Sequence, residues 1–470
     1  MFSSRSIFIL FAVILFFVFS ATAQEKLGPG CNCTPDDVLI DLAPANQADL
    51  PAIAAQYGLI PTPLSQVGTP PTFRMRIDRT KTNQTPLEII QAMAGDARIV
   101  QKETNRKLTV VEKDGLPWSL GHSWAIGHSW AIGGSAKGFA RQYFPGQIRL
   151  PEAHKISTGQ GVTIAVLDTG IDLQHPLFAG RLVAGYDFVD NDNDPSEVGT
   201  IRVDQVYGHG THVAGIIALT APNAKIMPIR VLDQNGEGDL WRIKDAMLWA
   251  AKNGATIINM SFGYPQDLTP QSNTFLHDLF NGVDDVVVPG EQQFPEFDDS
   301  RLLVVAGAGN GGLIGNGAAR VYPAAERGAL PSDPGTDIDD NLLSVGASTR
   351  LDRLAAFSTM ANVQNRDIDR WVRVVAPGEN IVSSLPGGRY GVWNGTSMSA
   401  PIVSGIAALV KSANPTLLLK DLVERVEETG HEWDCQLPSR GITMETSRVD
   451  ALCALTNNQA CAPPRTACTE

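Results

Sequence analysis

Three short stretches carry residue types that could do chemistry together. Gly395-Thr396-Ser397-Met398-Ser399-Ala400-Pro401 sets a serine at the head of an apolar, helix-spaced run. His209-Gly210-Thr211-His212 opens another helix pattern, and Asp168-Thr169-Gly170 closes an apolar, strand-like run. A serine hydroxyl is a weak nucleophile at neutral pH until an imidazole takes its proton and a carboxylate fixes that imidazole's tautomer. The chemistry on offer is acyl transfer, with Ser397 as nucleophile, His209 as general base and Asp168 as the orienting carboxylate. Each has a neighbour of the same type: Ser399, His212 and Asp172. His209 and His212 share a helix face at i and i+3. The zinc hydrolase pattern instead needs histidines at i and i+4 with a glutamate between them, which is missing here.

These groups need elements to hold them. Asp168 ends a strand, the place where open α/β sheets gather functional groups. Ser397 opens a helix that contains Pro401, and proline is tolerated in a first turn. The N–H groups of that turn have no intrahelical acceptor, and the positive helix end favours a developing oxyanion. Continuous apolar, β-branched runs at Val162–Leu167, Ile226–Leu232, Thr256–Met260, Leu302–Ala306, Leu342–Val345 and Val372–Ala376 suit strands buried on both faces. Helix patterns lie between them at His212–Leu219, Leu240–Lys252 and Ser397–Ser412. The alternation predicts a three-layer α/β/α domain with a mostly parallel sheet and right-handed crossovers.

The three motifs, in the chain order Asp, His, Ser, resemble those of the subtilisin-like serine proteases, the subtilases, without substitution. The resemblance runs from about Gln147 to Leu455. It implies a serine endopeptidase that acts on proteins or peptides through a Ser397 acyl-enzyme and needs no cofactor for catalysis. It also implies that Asn310, in Ala306-Gly307-Ala308-Gly309-Asn310, supplies a second oxyanion donor, and that Ser261-Phe262-Gly263 forms an edge pairing with the substrate backbone. Some subtilases hold calcium in a loop like Tyr186–Asp194, with ligands like Asp187, Asp190, Asp192 and Asp194; a solvated acidic turn is the other reading. Two other functions compete with hydrolysis: a silent binding protein on the same scaffold, and a subtilase that passes its acyl group to an amine.

The rest of the chain gives these residues a setting. Arg5, the apolar Ile7–Phe19 and the small-residue Ala21-Thr22-Ala23 read as a secretory signal over residues 1–23, giving a secreted or, in a two-membrane bacterium, periplasmic protein. Net charge of -13 argues against a nucleic-acid partner, and no membrane association is expected once the signal is removed. Residues 24–115 read as a small α+β domain, with strand-like Thr72–Ile77, helix-like Pro86–Ala94 and alternating Ala97–Gln101. By position and order of elements it resembles the inhibitory propeptide that subtilases carry, with an independent binding domain as the other reading, so the chain's own propeptide is an expected partner. A junction, 116–146, holds Gly121-His122-Ser123-Trp124-Ala125-Ile126 and its copy at Gly127–Ile132. Two copies are too few for a repeat architecture, and this reads as a tandem duplication in an exposed junction, whose glycine-rich context with Gly133-Gly134 suits a processing site. The catalytic domain then spans 147–455, followed by a cysteine-containing tail, 456–470. The acidic Thr274–Ser300 reads as a surface insertion. Six cysteines suit an exported chain, with Cys435–Cys453 and Cys461–Cys468 as the first pairing considered; four cysteines permit three pairings.

Overall fold

The computed structural model describes residues 32–68, 71–110, 116–120, 129–132, 134–201, 203–204, 206–265, 302–311, 321–326, 341–359, 372–437, 442–461 and 466–467. The signal segment and the acidic Thr274–Ser300 lie outside them.

The central sheet is built from the runs that carry continuous β-branched residues. These are β7 (Thr163–Asp168), β8 (Tyr186–Asp187), β9 (Lys225–Arg230), β11 (Ile257–Met260), β13 (Leu303–Gly307), β15 (Leu342–Ser348) and β16 (Val374–Pro377). They pair in parallel, in the order β16-β15-β13-β11-β7-β9-β8. Beyond β16 come β20 (Ile442–Arg448), β19 (His431–Leu437) and β21 (Thr466–Ala467), of which only the β19–β20 pair is antiparallel. Helices cover the sheet, so strand residues such as Ile164, Val304 and Leu343 are fully buried. This is the expected three-layer α/β/α arrangement with a mostly parallel sheet.

The helices come in chain order as α1 (Leu50–Gln56), α2 (Pro86–Ala92), α3 (Ala136–Arg141), α4 (Phe144–Gln147), α5 (Leu150–Ala153), α6 (His209–Thr220), α7 (Leu240–Lys252), α8 (Thr396–Ala413), α9 (Leu419–Glu428) and α10 (Ala451–Thr456). Helix α7 has the bounds that its pattern implies, because Asp239 caps it by accepting the Arg242 N–H at 3.0 Å. Helices α6 and α8 are buried almost all round, which explains why neither shows a strong polar face.

The N-terminal region folds as β1 (Cys33–Leu42), β2 (Ser65–Val67), β3 (Thr72–Arg76) and β4 (Ile99–Val110), with α1 and α2. Strand alternation divides its side chains between two cores. Val38, Ile40, Met75, Ile89 and Ile53 form its own apolar cluster, while Leu39, Leu108 and Val110 join the main one. The second face docks on α7: Lys244 Nζ donates to Thr72 Oγ1 at 2.9 Å, and the Trp241 N–H donates to Asn105 Oδ1 at 3.0 Å. Strand β4 then runs between β10 (Glu237–Asp239) and β12 (Phe262–Pro265), pairing antiparallel with both.

Two readings of the sequence change. The second repeat copy is not a plain linker: β6 (Ser129–Ile132) pairs with β5 (Leu116–Leu120) and with β18 (Arg389–Trp393), whose hairpin partner is β17 (Ile381–Leu385). The first copy lies outside the described residues. The bond Cys453–Cys461 replaces both considered pairings, Cys435–Cys453 and Cys461–Cys468. The turn after α10 brings these two sulfurs together, with Cα atoms 5.5 Å apart. Cys33 is also disulfide-bonded.

Candidate active site

Asp168 is the last residue of β7 and His209 the first of α6, and their junction is tight. A Cβ on Gly210 would lie 2.1 Å from the Gly170 carbonyl oxygen, so glycine is what lets the helix start against the strand end. The result is a hydrogen bond of 2.7 Å between His209 Nδ1 and Asp168 Oδ1, with both side chains fully buried. The Thr169 N–H also donates to Asp168 Oδ1, at 2.8 Å, which fixes the carboxylate. A carboxylate on Nδ1 sets the tautomer that leaves Nε2 as the proton acceptor.

Ser397 lies in the first turn of α8, while Pro401 sits one turn further in than the sequence suggests. Proline has no N–H, so the Ser397 carbonyl loses its i+4 donor. Ser261 Oγ supplies the missing bond at 3.0 Å, and Ser397 Oγ donates in return to the Ser261 carbonyl at 2.9 Å. The proline thus links the serine to the strand edge that starts at Phe262. Asn310 follows β13 and reaches the same helix start, where its Oδ1 accepts the Thr396 N–H at 2.9 Å. With Oδ1 engaged, Nδ2 is the end of the amide that carries donors.

The competing residues are committed elsewhere. Ser399 Oγ donates to the Ala376 carbonyl at 2.9 Å. The His212 ring stacks on Trp393 at 4.3 Å, and burial, reinforced by nearby His209, pushes its pKa down to about 3, so it is neutral. Asp172 accepts backbone N–H groups of Gln174 and Gly387.

Sequence reasoning overlooks Glu197. Its carboxylate accepts hydrogen bonds from Thr169 Oγ1, the Gly208 N–H, and both the N–H and Oγ1 of Thr211. No motif marks it, since it lies in the loop ahead of α6.

The Tyr186–Asp194 loop does not gather its carboxylates around a common point. Asp187 Oδ1 accepts the Val189 and Asp190 N–H groups, while Asp187 Oδ2 and Asp190 Oδ2 each lie 2.6 Å from Arg230 Nη1. Asp192 and Asp194 turn to the N–H groups of Asp194 and Ser196. The donor set does not fit calcium, because a buried guanidinium holds the position between Asp187 and Asp190. Arg230 and Asp187 are each only 2% exposed. Asp187→Ala should therefore cost about 3–5 kcal/mol, the scale for stripping one partner from a buried ion pair. Denaturant titration checks this. An Asp192→Asn/Asp194→Asn double variant should melt with the same calcium dependence as wild type, and a lost calcium response would restore the metal reading.

A parallel α/β/α sheet with an Asp–His pair at a strand end and a serine at a helix start defines a serine hydrolase of the doubly wound class. The profile of the subtilase family matches residues 159–447. The thermophilic serine proteinase of Bacillus sp. (strain AK1) is 34% identical over 326 residues, 67% of this chain and 67% of the relative. Thermitase of Thermoactinomyces vulgaris is 33% identical over 310 residues, 63% of this chain and 92% of the relative. Fervidolysin from Fervidobacterium pennivorans, described as a keratinolytic enzyme related to subtilisin, is similar in fold, with a TM-score of 0.60 and 21% identity over 90% of this chain and 61% of that one. The chain belongs to the subtilase family. Its activity is that of a serine endopeptidase, and its substrates are proteins. Among the described residues, no helix is long and apolar enough to cross a membrane.

Proposed function

We propose that this chain is an exported, self-inhibited protease in which Ser397 attacks the scissile carbonyl. His209 Nε2 takes the hydroxyl proton, and Asp168 stabilises the resulting imidazolium. The oxyanion accepts hydrogen bonds from the Ser397 N–H and from Asn310 Nδ2. On collapse, His209 returns the proton to the departing amine and leaves an ester on Ser397. Water then repeats the sequence, giving up a proton to His209 and releasing the acid. The observation that carries this reading is the 2.7 Å His209–Asp168 hydrogen bond, buried beside the helix that presents Ser397. A fluorophosphonate probe should label the wild-type protein and leave Ser397→Ala unlabelled. Labelling of the variant would move the nucleophile elsewhere.

Asn310→Ala should lower kcat by about 10²–10³ with little change in KM, since the amide meets charge only in the transition state; subtilisin itself shows this scale. A KM that rises as far as kcat falls would make Asn310 a ground-state contact instead.

Residues 24–115 act in this reading as an inhibitory and folding-assisting propeptide. Its support is that β4 pairs with β12 through Val110↔Phe262 and Thr109↔Gly263, the edge that an extended substrate would use, while Ser397, His209 and Asp168 have no exposed surface. Export rests on the signal-like residues 1–23. No resident metal is assigned to the Asp187–Asp194 loop, and no cofactor enters the reaction.

A further inference from the structure

Glu197 joins the two segments that carry Asp168 and His209. Thr169, which follows Asp168, accepts the Gly210 N–H through Oγ1 at 3.0 Å and donates to Glu197. Thr211 Oγ1 accepts the Asp172 N–H at 2.9 Å and donates to Glu197 Oε2 at 2.7 Å. The Gly208 and Thr211 N–H groups complete the set at 3.0 and 3.1 Å. Among the described residues, every donor to this carboxylate thus comes from a residue close in sequence to Asp168 or His209. Glu197 as a whole is partly exposed, and its carboxylate is engaged by these four donors.

We propose that Glu197 is a positioning residue, whose ionised carboxylate clamps the turn after β7 to the first turn of α6 and so holds the His209–Asp168 hydrogen bond in catalytic geometry. The inference rests on the Asp168–His209–Ser397 reading above. An ionised carboxylate only accepts, which suits donors arriving from both segments. A protonated one must donate through one oxygen and loses a bond there. Burial lifts the Glu197 carboxyl to about 7, with Asp168 adding to the rise and the Thr169 and Thr211 hydroxyls opposing it. Among the described residues, the other charged or titratable groups near it are Asp172, Asp194 and Tyr207, with Arg389 acting on Tyr207 and His209 one residue beyond the Gly208 N–H. The folded protein binds this proton more tightly than the unfolded chain does, whose reference is 4.5. Stability from this group is therefore full below pH 4.5 and is lost as pH rises through about 7, while the clamp tightens. The site trades stability for geometry across that window.

The test is Glu197→Gln in the processed enzyme, with competent sites counted by fluorophosphonate. The glutamine NH2 would face N–H donors on one side. Since a displacement of about 1 Å costs about 100-fold, kcat per labelled site should fall by about 10- to 100-fold, with KM within about twofold. The acid limb of the wild-type kcat profile should approach a two-proton slope, and that of the variant a one-proton slope. The low-field NMR proton on His209 Nδ1 should broaden or shift. An unchanged kcat per site, or a loss confined to melting temperature, would overturn the proposal. Should Glu197→Gln not fold, Thr211→Val decides. It keeps the backbone N–H and removes one hydroxyl, and a kcat per site equal to wild type overturns the clamp. Absence of labelling in wild type would instead refute the triad itself.

Discussion

Ser397→Ala should lower kcat by about a million-fold, the scale that subtilisin shows for loss of its nucleophile, while the protein stays folded. The size follows from how the parts depend on one another. Without the hydroxyl, His209 has no proton to take and no acyl-enzyme forms, so what remains is the oxyanion site and substrate binding. Stability should barely change. The hydrogen bond lost is the one from Ser397 Oγ to the Ser261 carbonyl, worth about 1 kcal/mol. The reciprocal bond from Ser261 Oγ to the Ser397 carbonyl survives, so the helix start keeps its tie to the segment between β11 and β12. Initial rates on a quenched fluorescent peptide, paired with a thermal melt, separate the two effects. Residual activity within about tenfold of wild type would point to another nucleophile, although Ser399 is held by the Ala376 carbonyl. Equal loss of the folded transition would make Ser397 structural instead.

The central sheet was legible because its strands are short continuous apolar runs, a pattern that burial on both faces requires. Strand β7 and helix α7 fall within a residue of their expected bounds. The placement of Asp168, His209 and Ser397 in the fold was legible because each sits in a motif with a structural reason: a strand end, a glycine contact, a helix start. What escaped was set by contacts distant in sequence. Glu197 reaches Thr169, Thr211 and Gly208 across separations of 28, 14 and 11 residues, and nothing local marks such a closure. Arg230 meets Asp187 across 43 residues, and without it the acidic loop looks like a cation site. Pro401 misled in another way. Its position in the second turn works only because Ser261, 136 residues before Ser397, replaces the missing donor. The β4–β12 pairing is likewise non-local, since alternation in Ile99–Val110 identifies a strand without naming its neighbours.

That pairing leads to the maturation point, the second large effect expected. Antiparallel register pairs Thr109 with Gly263 and Val110 with Phe262, so the next step of the same ladder would set residue 111 against Ser261. The Ser261 carbonyl is the group that Ser397 Oγ contacts. We therefore expect wild-type proprotein to cut its own Val111–Glu112 bond and yield a mature chain starting at Glu112, with Ser397→Ala remaining full length. The Val111 carbonyl would form the ester on Ser397, the Glu112 amine would leave with the proton from His209, and water would release the new carboxylate. The glycine-rich Gly133-Gly134, attractive on composition alone, follows β6, which is already paired with β18. Register and local sequence can be told apart by inserting one glycine between Val110 and Val111. If the ladder selects the bond, the cut moves to the peptide between the inserted glycine and Val111. If the side chains select it, the cut stays after Val111. N-terminal sequencing of both products decides, and a start at Gly134 in the wild type would overturn the register account altogether. The expected outcome makes the propeptide strand the enzyme's first substrate, held by backbone hydrogen bonds to the edge that later substrates would use.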